Sequence, residues 1–176
     1  MSEEHHYDLV VVGGGPAGFS AAYAAAKSGI KVALIEKEKS IAETVRTSGV
    51  TWVHNIKEFG IPDDCYNPIR NFSFCSPNNE VTISDSVARA AVLDVRKTYR
   101  WLAQEAEKSG ADIFVSTSID KVLKNERGDI AGVVGKGPNG TVVTFHSKVV
   151  IDASGFTSTV CKAMGFAPQW ERFGAG

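Results

Sequence analysis

Six consecutive residues, Gly13-Gly14-Gly15-Pro16-Ala17-Gly18, satisfy the spacing G-x-G-x-x-G. That spacing serves phosphate chemistry when it follows a strand and opens a helix. Gly13 allows a tight turn. Gly15 lacks the Cβ that would keep a pyrophosphate off the backbone, and Gly18 lets the helix pack close to the strand. Backbone N–H groups and the positive end of the helix then hold the anion. Glu36 comes about 20 residues after Gly15, where a carboxylate accepts both ribose hydroxyls of an adenosine. A basic group there would suit a 2′-phosphate instead. The competing reading of Glu36 is a plain charge at a strand end. Loop and carboxylate together point to a dinucleotide and leave NAD and FAD open.

The elements that must position these residues are legible around them. Tyr7 to Val12 is a short apolar, β-branched run, as in a strand buried on both faces. Ala17 to Ser28 is rich in alanine and predicts a helix, ended by Gly29. Lys31 to Ile35 predicts a second buried strand, closed by Glu36. Strand, turn, helix and strand make a parallel, right-handed βαβ unit. Residues 40–90 are polar and broken by Pro62, Pro68 and Pro77, and they read as an excursion from the main sheet that begins a second, substrate-side region. Short strands are expected near 70–75 and 80–84. Leu93 to Ser109 returns to helical periodicity, with Val95, Tyr99, Leu102 and Ala106 on one face and Gly110 as its cap. Ile113–Val115 predicts a third parallel strand. Ile119–Leu123, Ile130–Val134 and Thr141–His146, separated by turn residues, predict a small antiparallel meander. Val149–Asp152 predicts another buried strand and Ser158–Met164 a short helix. The fold class is therefore α/β, a doubly wound Rossmann-like domain with a parallel sheet and a small β-meander, over residues 1–176.

The 176 residues are enough for one domain and a real core. A net charge of −1 and the lack of a basic stripe give no footprint for nucleic acid. Cys65, Cys75 and Cys161 are an odd number without a Cys-x-x-Cys, so neither a disulfide framework nor a metal site has a ligand pattern to rest on, and each thiol is expected to be a small buried hydrophobe in a reducing cytosol. Residues 9–26 are nearly uncharged, but Gly13 to Pro16 interrupt them and the chain opens on Ser2-Glu3-Glu4, so neither a secretory signal nor a membrane span is expected. His5 and His6 are expected in a solvated tail. Trp52, Trp101 and Trp170 are candidates for a substrate pocket, with packing in a core or against a further part of the chain as the favoured reading.

The string Y-D-L-V-V-V-G-G-G-P-A-G…K-V-A-L-I-E-K resembles FAD-binding proteins more than NAD dehydrogenases. Leu93-Asp94-Val95-Arg96, with its following helix and Gly110-Ala111-Asp112, resembles the second block of the aromatic-hydroxylase-like flavoproteins. Val150 to Ser158, V-I-D-A-S-G-F-T-S, resembles their Asp-Gly block. The Asp-Ala-Ser-Gly form and the loop Val45-Arg46-Thr47-Ser48-Gly49-Val50 look most like the geranylgeranyl reductase branch. The resemblance implies FAD as cofactor. It implies that Gly13, Gly15, Pro16, Ala17 and Gly18 hold the pyrophosphate and that Glu36 and Lys37 hold the adenosine ribose. It further implies that Arg46 and Gly49 lie along the flavin, Arg96 near the pyrophosphate and ribityl, Ser118 by the adenine, and Ser154 and Gly155 against the ribityl–pyrophosphate. The branch often has Cys where Thr47 stands, and the wider superfamily has Asp at Ser154 and Arg at Cys161. These departures weaken a thiol-based role and a specific tie to hydroxylases. A solvated loop arginine, a helix-start charge and a turn residue stay open as plainer readings of Arg46, Arg96 and Thr47.

Proteins of this family run to roughly twice this length, so the chain is expected to be their cofactor half and inactive by itself. The activity implied is reduction of isoprenoid C=C bonds by hydride delivered through FAD, with NAD(P)H or a ferredoxin-like protein as external donor and a lipid substrate that brings a cytoplasmic protein to a membrane surface. A monooxygenase or halogenase of the same superfamily is the alternative, although the halogenase signature Trp-x-Trp-x-Ile-Pro is absent from the sequence. A non-catalytic FAD-binding or electron-transfer module is a third reading. No side chain is convincing as an acid–base catalyst.

Overall fold

The computed structural model describes Ser2 to Phe166. The chain forms two compact units. One joins the first 43 residues to the chain from Leu102 onward, and the other spans Thr44–Trp101.

The first unit opens with strand β1 (Ser2–His6), then β2 (Leu9–Val12), helix α1 (Pro16–Lys27) and β3 (Val32–Ile35). All four residues of β2 and of β3 are buried, which explains their unbroken apolar runs. Proline at the first helical position starts α1 with its φ already set, and Gly29 at φ +78° ends it in the left-handed conformation that glycine adopts without penalty. Phe19, Ala22, Ala25 and Ala26 form the buried face of α1, which packs on β2 and β3.

The second unit contains β4 (Val50–Trp52), α2 (Val53–Glu58), β5 (Tyr66–Ile69), β6 (Asn71–Cys75), β7 (Glu80–Ser84) and β8 (Ala90–Leu93). Strands β4, β8 and β5 form an antiparallel sheet in that order, and β6 pairs with β7 as a hairpin. The hairpin matches the strands expected near 70–75 and 80–84. The expectation had no place for β4, α2, β5 or β8. Pro68 argued against a strand, but it sits in β5 at the edge of its sheet, where a missing N–H donor is tolerated.

Helix α3 (Val95–Lys108) leads back to the first unit, which continues with β9 (Asp112–Phe114), β10 (Ser118–Lys124), β11 (Ile130–Lys136), β12 (Val142–His146), β13 (Val149–Asp152) and α4 (Thr159–Ala163). The parallel sheet has the order β13-β2-β3-β9. Val10 is level with Ala33 on one side and Val150 on the other. Strands β10, β11 and β12 are the antiparallel meander. One core lies between the two sheets, with Val10, Val12, Ala33 and Ile35 facing Ile119, Val133, Val143, Phe145 and Val160.

Three expectations need correction. His5 and His6 do not belong to a solvated tail. Residues 2–6 add a fourth strand to the meander, parallel to β12, and the His5 ring stacks on Phe145. Their polar composition hid the strand, because its hydrogen-bond partners come from the far end of the sequence. Cys65 is buried and Cys161 half-buried, but Cys75 on the hairpin is exposed, so it is not a buried hydrophobe. Strand β13 is not buried as expected, because it lies at the edge of the parallel sheet and leaves Val149 and Ile151 exposed. Of the tryptophans, Trp52 is 55% exposed and lines an apolar cleft, Trp101 is half-buried, and Trp170 lies outside the described residues.

Candidate cofactor site

Strand β2 ends where the phosphate loop begins, and the Gly13 N–H donates to the carbonyl of Ile35 at 2.8 Å. The loop closes on itself. A Cβ on Gly18 would lie 1.9 Å from the Gly13 carbonyl oxygen, and one on Gly13 2.4 Å from that of Ala153. These glycines are demanded by backbone packing. Gly15 differs, because nothing lies within 4 Å of where its Cβ would be. It also caps α1, and no side chain bonds to the helix start and no acidic residue occupies its first turn. The open face above Gly15 is therefore left to uncapped amides and the positive helix end, the environment an anionic pyrophosphate needs. Pro16 and Ala17 are exposed beside it.

Glu36 stands at the end of β3. One carboxylate oxygen accepts the Gly14 N–H at 2.6 Å and the other accepts the Glu38 N–H at 2.8 Å. These bonds orient the carboxylate against the loop. A carboxylate has about four acceptor positions, so roughly two stay open for hydroxyl groups. Gly14 carries a role that the sequence reading missed, since a Cβ there would fall 2.7 Å from a Glu36 carboxylate oxygen. The triple glycine was the available signal, but the spacing rule treats its second member as any residue. Lys37 is exposed. The Thr117 and Ser116 N–H groups donate to the carbonyls of Glu36 and Glu38, which sets the stretch leading into exposed Ser118 alongside the acidic residue.

The loop after β13 comes to the same place. The Ala153 N–H donates to the Val12 carbonyl at 2.8 Å, beside Gly13. Asp152 organises the turn from β13 into α4: it accepts the Ser154 hydroxyl at 2.5 Å, the Ser154 N–H at 3.1 Å and the Cys161 N–H at 2.8 Å. Burial opposes its ionisation, but the Ser154 hydroxyl and the Cys161 and Ser154 amides outweigh burial and hold the carboxyl below its ordinary value. The Ser154 hydroxyl also accepts the Thr159 N–H, and the Ser154 carbonyl accepts the Thr157 hydroxyl. Ser154 is thus committed within its own loop, where it shapes the entry to α4. Gly155, at φ +63°, has open space at its Cβ position.

The first unit therefore brings together Gly13 to Gly18, Glu36 and the 153–155 loop. Arg46, Gly49 and Arg96 belong to the second unit. Arg46 and Arg96 are exposed there, while Gly49 is a packing glycine, because a Cβ on it would lie 2.8 Å from the Leu93 carbonyl oxygen. The second unit also carries an apolar cleft of about 290 Å³. It is lined by Trp52, Ile69, Phe72, Phe74 and Ile83, with the Asp85–Arg89 ion pair beside them.

The model of the family described as FAD dependent oxidoreductase matches residues 8–171. The chain belongs to this family of FAD-dependent oxidoreductases. Its cofactor is FAD, and the uncapped amides above Gly15 together with the Glu36 carboxylate fit the pyrophosphate and ribose that FAD presents. The digeranylgeranylglycerophospholipid reductase of Methanocaldococcus jannaschii is 35% identical over 90% of this chain and 40% of its own length. A Methanosarcina barkeri protein, named only for its place in the nifH2 5′ region, is 32% identical over 95% of this chain and 92% of its own length. The crystal structure of a geranylgeranyl bacteriochlorophyll reductase-like protein from Thermoplasma acidophilum superposes with a TM-score of 0.81 at 30% identity, covering 92% of this chain and 42% of that one. The chain thus spans well under half the length of the named reductases it matches. No helix among the described residues is long and apolar enough to cross a membrane.

Proposed function

We propose that this chain supplies the FAD-binding part of a geranylgeranyl-reductase-like enzyme that reduces isoprenoid C=C bonds. The observation that carries the reading is the meeting of the open Gly15 loop, the tethered Glu36 carboxylate and the Asp152-ordered loop at one end of the parallel sheet, the position at which such sheets bind dinucleotides. The named reductase relatives support the reaction type. The apolar cleft beside Trp52 and Phe72 supports a lipid substrate. When bound, FAD supplies the hydride chemistry, and the protein positions it. The amides of Gly15, Ala17 and Gly18 would hold the pyrophosphate, Glu36 would hold the ribose from its two remaining acceptor positions, with Lys37 and Ser118 around the adenosine, and Gly155 would let the chain pass close to the ribityl. Arg46, Gly49 and Arg96 are the residues that the family resemblance would assign to the flavin and its ribityl. The reducing equivalents would come from NAD(P)H or a ferredoxin-like donor, and a lipid substrate would draw the protein to a membrane surface.

One observation favours a second reading, a flavin-binding module that works with another polypeptide. The Methanosarcina relative is matched over 92% of its own length, which supports a protein of about this size. A single experiment separates the readings. The purified protein is titrated with FAD, reduced anaerobically, and mixed with a geranylgeranyl lipid. Saturable flavin binding with loss of double bonds in the absence of oxygen supports the reductase. Binding without turnover by this chain alone, with turnover restored when the C-terminal part of a reductase relative is supplied, also supports the reductase, whereas binding with no turnover in either case supports the module. Turnover that requires oxygen refutes the reductase, and no flavin binding refutes both.

A further inference from the structure

We infer that Glu4, His6 and His146 form a surface site for a divalent transition-metal ion of the zinc type, and that the bound ion staples the N-terminal strand to the meander. Strand β1 runs parallel to β12 with His6 level with His146 and Glu4 level with Thr144. Side chains two apart on a strand share a face, so Glu4 and His6 point the same way. His5 points the other way, with its ring 5.1 Å from Phe145 and 5.0 Å from Phe114, and this buried contact fixes which face Glu4 and His6 present. The rings of His6 and His146 stack at 4.6 Å with their planes 11° apart. A Glu4 carboxylate oxygen is 3.7 Å from His146 Nε2. One ligand atom from each of the three residues lies within 4.8 Å of the other two, and this is the one such group among the described residues.

The donor set decides the ion. Two imidazoles and one carboxylate suit zinc, copper or nickel, whereas calcium and magnesium take oxygen ligands. Zinc holds nitrogen and oxygen ligands at about 2.0–2.2 Å, so the three atoms must draw together by roughly 1 Å, within reach of rotamer changes in side chains that are not fully buried. Three protein ligands leave a fourth position for water. The ligands come from the first strand and from a strand near the other end of the sequence, so an ion there cross-links them. This site is independent of the flavin reading.

The test strips the protein of metal, matches its flavin content and titrates it with Zn2+. Binding at one equivalent is expected, with a rise in Tm. His6→Ala and His146→Ala should each weaken binding by about tenfold or more and abolish the rise in Tm, and Glu4→Gln should weaken it less. His54→Ala, at a histidine outside the site, should bind as the wild type does. The far-UV circular dichroism of the variants checks that the exposed substitutions leave the fold intact. With Cu2+ in place of Zn2+, the electron paramagnetic resonance spectrum should show two nitrogen ligands. No uptake at about 100 μM Zn2+, uptake that survives in His146→Ala, or equal loss in His54→Ala overturns the inference.

Discussion

Removing the Glu36 carboxylate should weaken FAD binding far more than it weakens the fold. In the structure its two oxygens accept the Gly14 and Glu38 amides at 2.6 and 2.8 Å. A hydrogen bond to a charged group is worth about 1.5–3 kcal/mol. Both amides are half-buried and water replaces part of each lost bond, so Glu36→Ala should destabilise the protein by about 1–3 kcal/mol. For a chain of this size that is a fall in Tm of about 2–12 °C. The two open acceptor positions are the ones that would meet ribose hydroxyls, and losing both costs FAD roughly 3–6 kcal/mol, or about 10²–10⁴ in Kd. Glu36→Gln should fall between, since its amide oxygen still accepts one N–H while its amide nitrogen faces a donor. Flavin fluorescence titration measures the affinity and a thermal melt without flavin measures the fold. If Glu36→Ala binds FAD within about threefold of wild type, the ribose assignment is wrong. If its Tm falls as far as expected while FAD affinity is unchanged, the carboxylate is a loop anchor and nothing more.

The glycines give a paired prediction. Gly18→Ala drives a methyl into the Gly13 carbonyl and should lose about 1–3 kcal/mol or fail to fold, whereas Gly15→Ala meets open space and should keep its Tm yet lose FAD affinity; equal melting temperatures for the two would refute the loop geometry. Asp152 titrates below its ordinary value of 3.8, so its stabilising effect is complete above about that pH and is lost as pH falls through the lower folded value. The stability difference between wild type and Asp152→Asn, measured by denaturant unfolding from pH 7 to 3, should therefore be largest at neutral pH and shrink in acid; a difference that grows in acid would contradict it. Exposed Cys75 should react first with a thiol reagent, ahead of Cys161 and then Cys65, whose thiols burial pushes up; modification of Cys65 in the native protein at the rate of Cys75 would refute the packing of the second unit.

What the sequence determined by itself is local. Within β2, the phosphate loop, α1 and β3, each residue's preference agrees with its neighbours': buried β-branched runs, a proline at the first helical position, a glycine just past the last. The acidic residue after β3 belongs to the same short segment, and the turn chemistry that separates the meander strands is equally local. Short-range preferences suffice there because the partners are adjacent in the chain. The tertiary structure alone decided the rest. Strand β1 is polar by composition, and its pairing with β12 comes from backbone bonds to a segment at the other end of the chain. Pro68 weighs against a strand until its edge position is known. Gly14 has no signature in spacing, since it matters through the Glu36 carboxylate that the fold delivers, and the motif that marks Asp152 says nothing of the Ser154 and Cys161 donors that it organises. His6 and His146 are inconspicuous in a one-dimensional reading. They meet because two strands far apart in sequence share a register, and register depends on which faces the whole sheet buries.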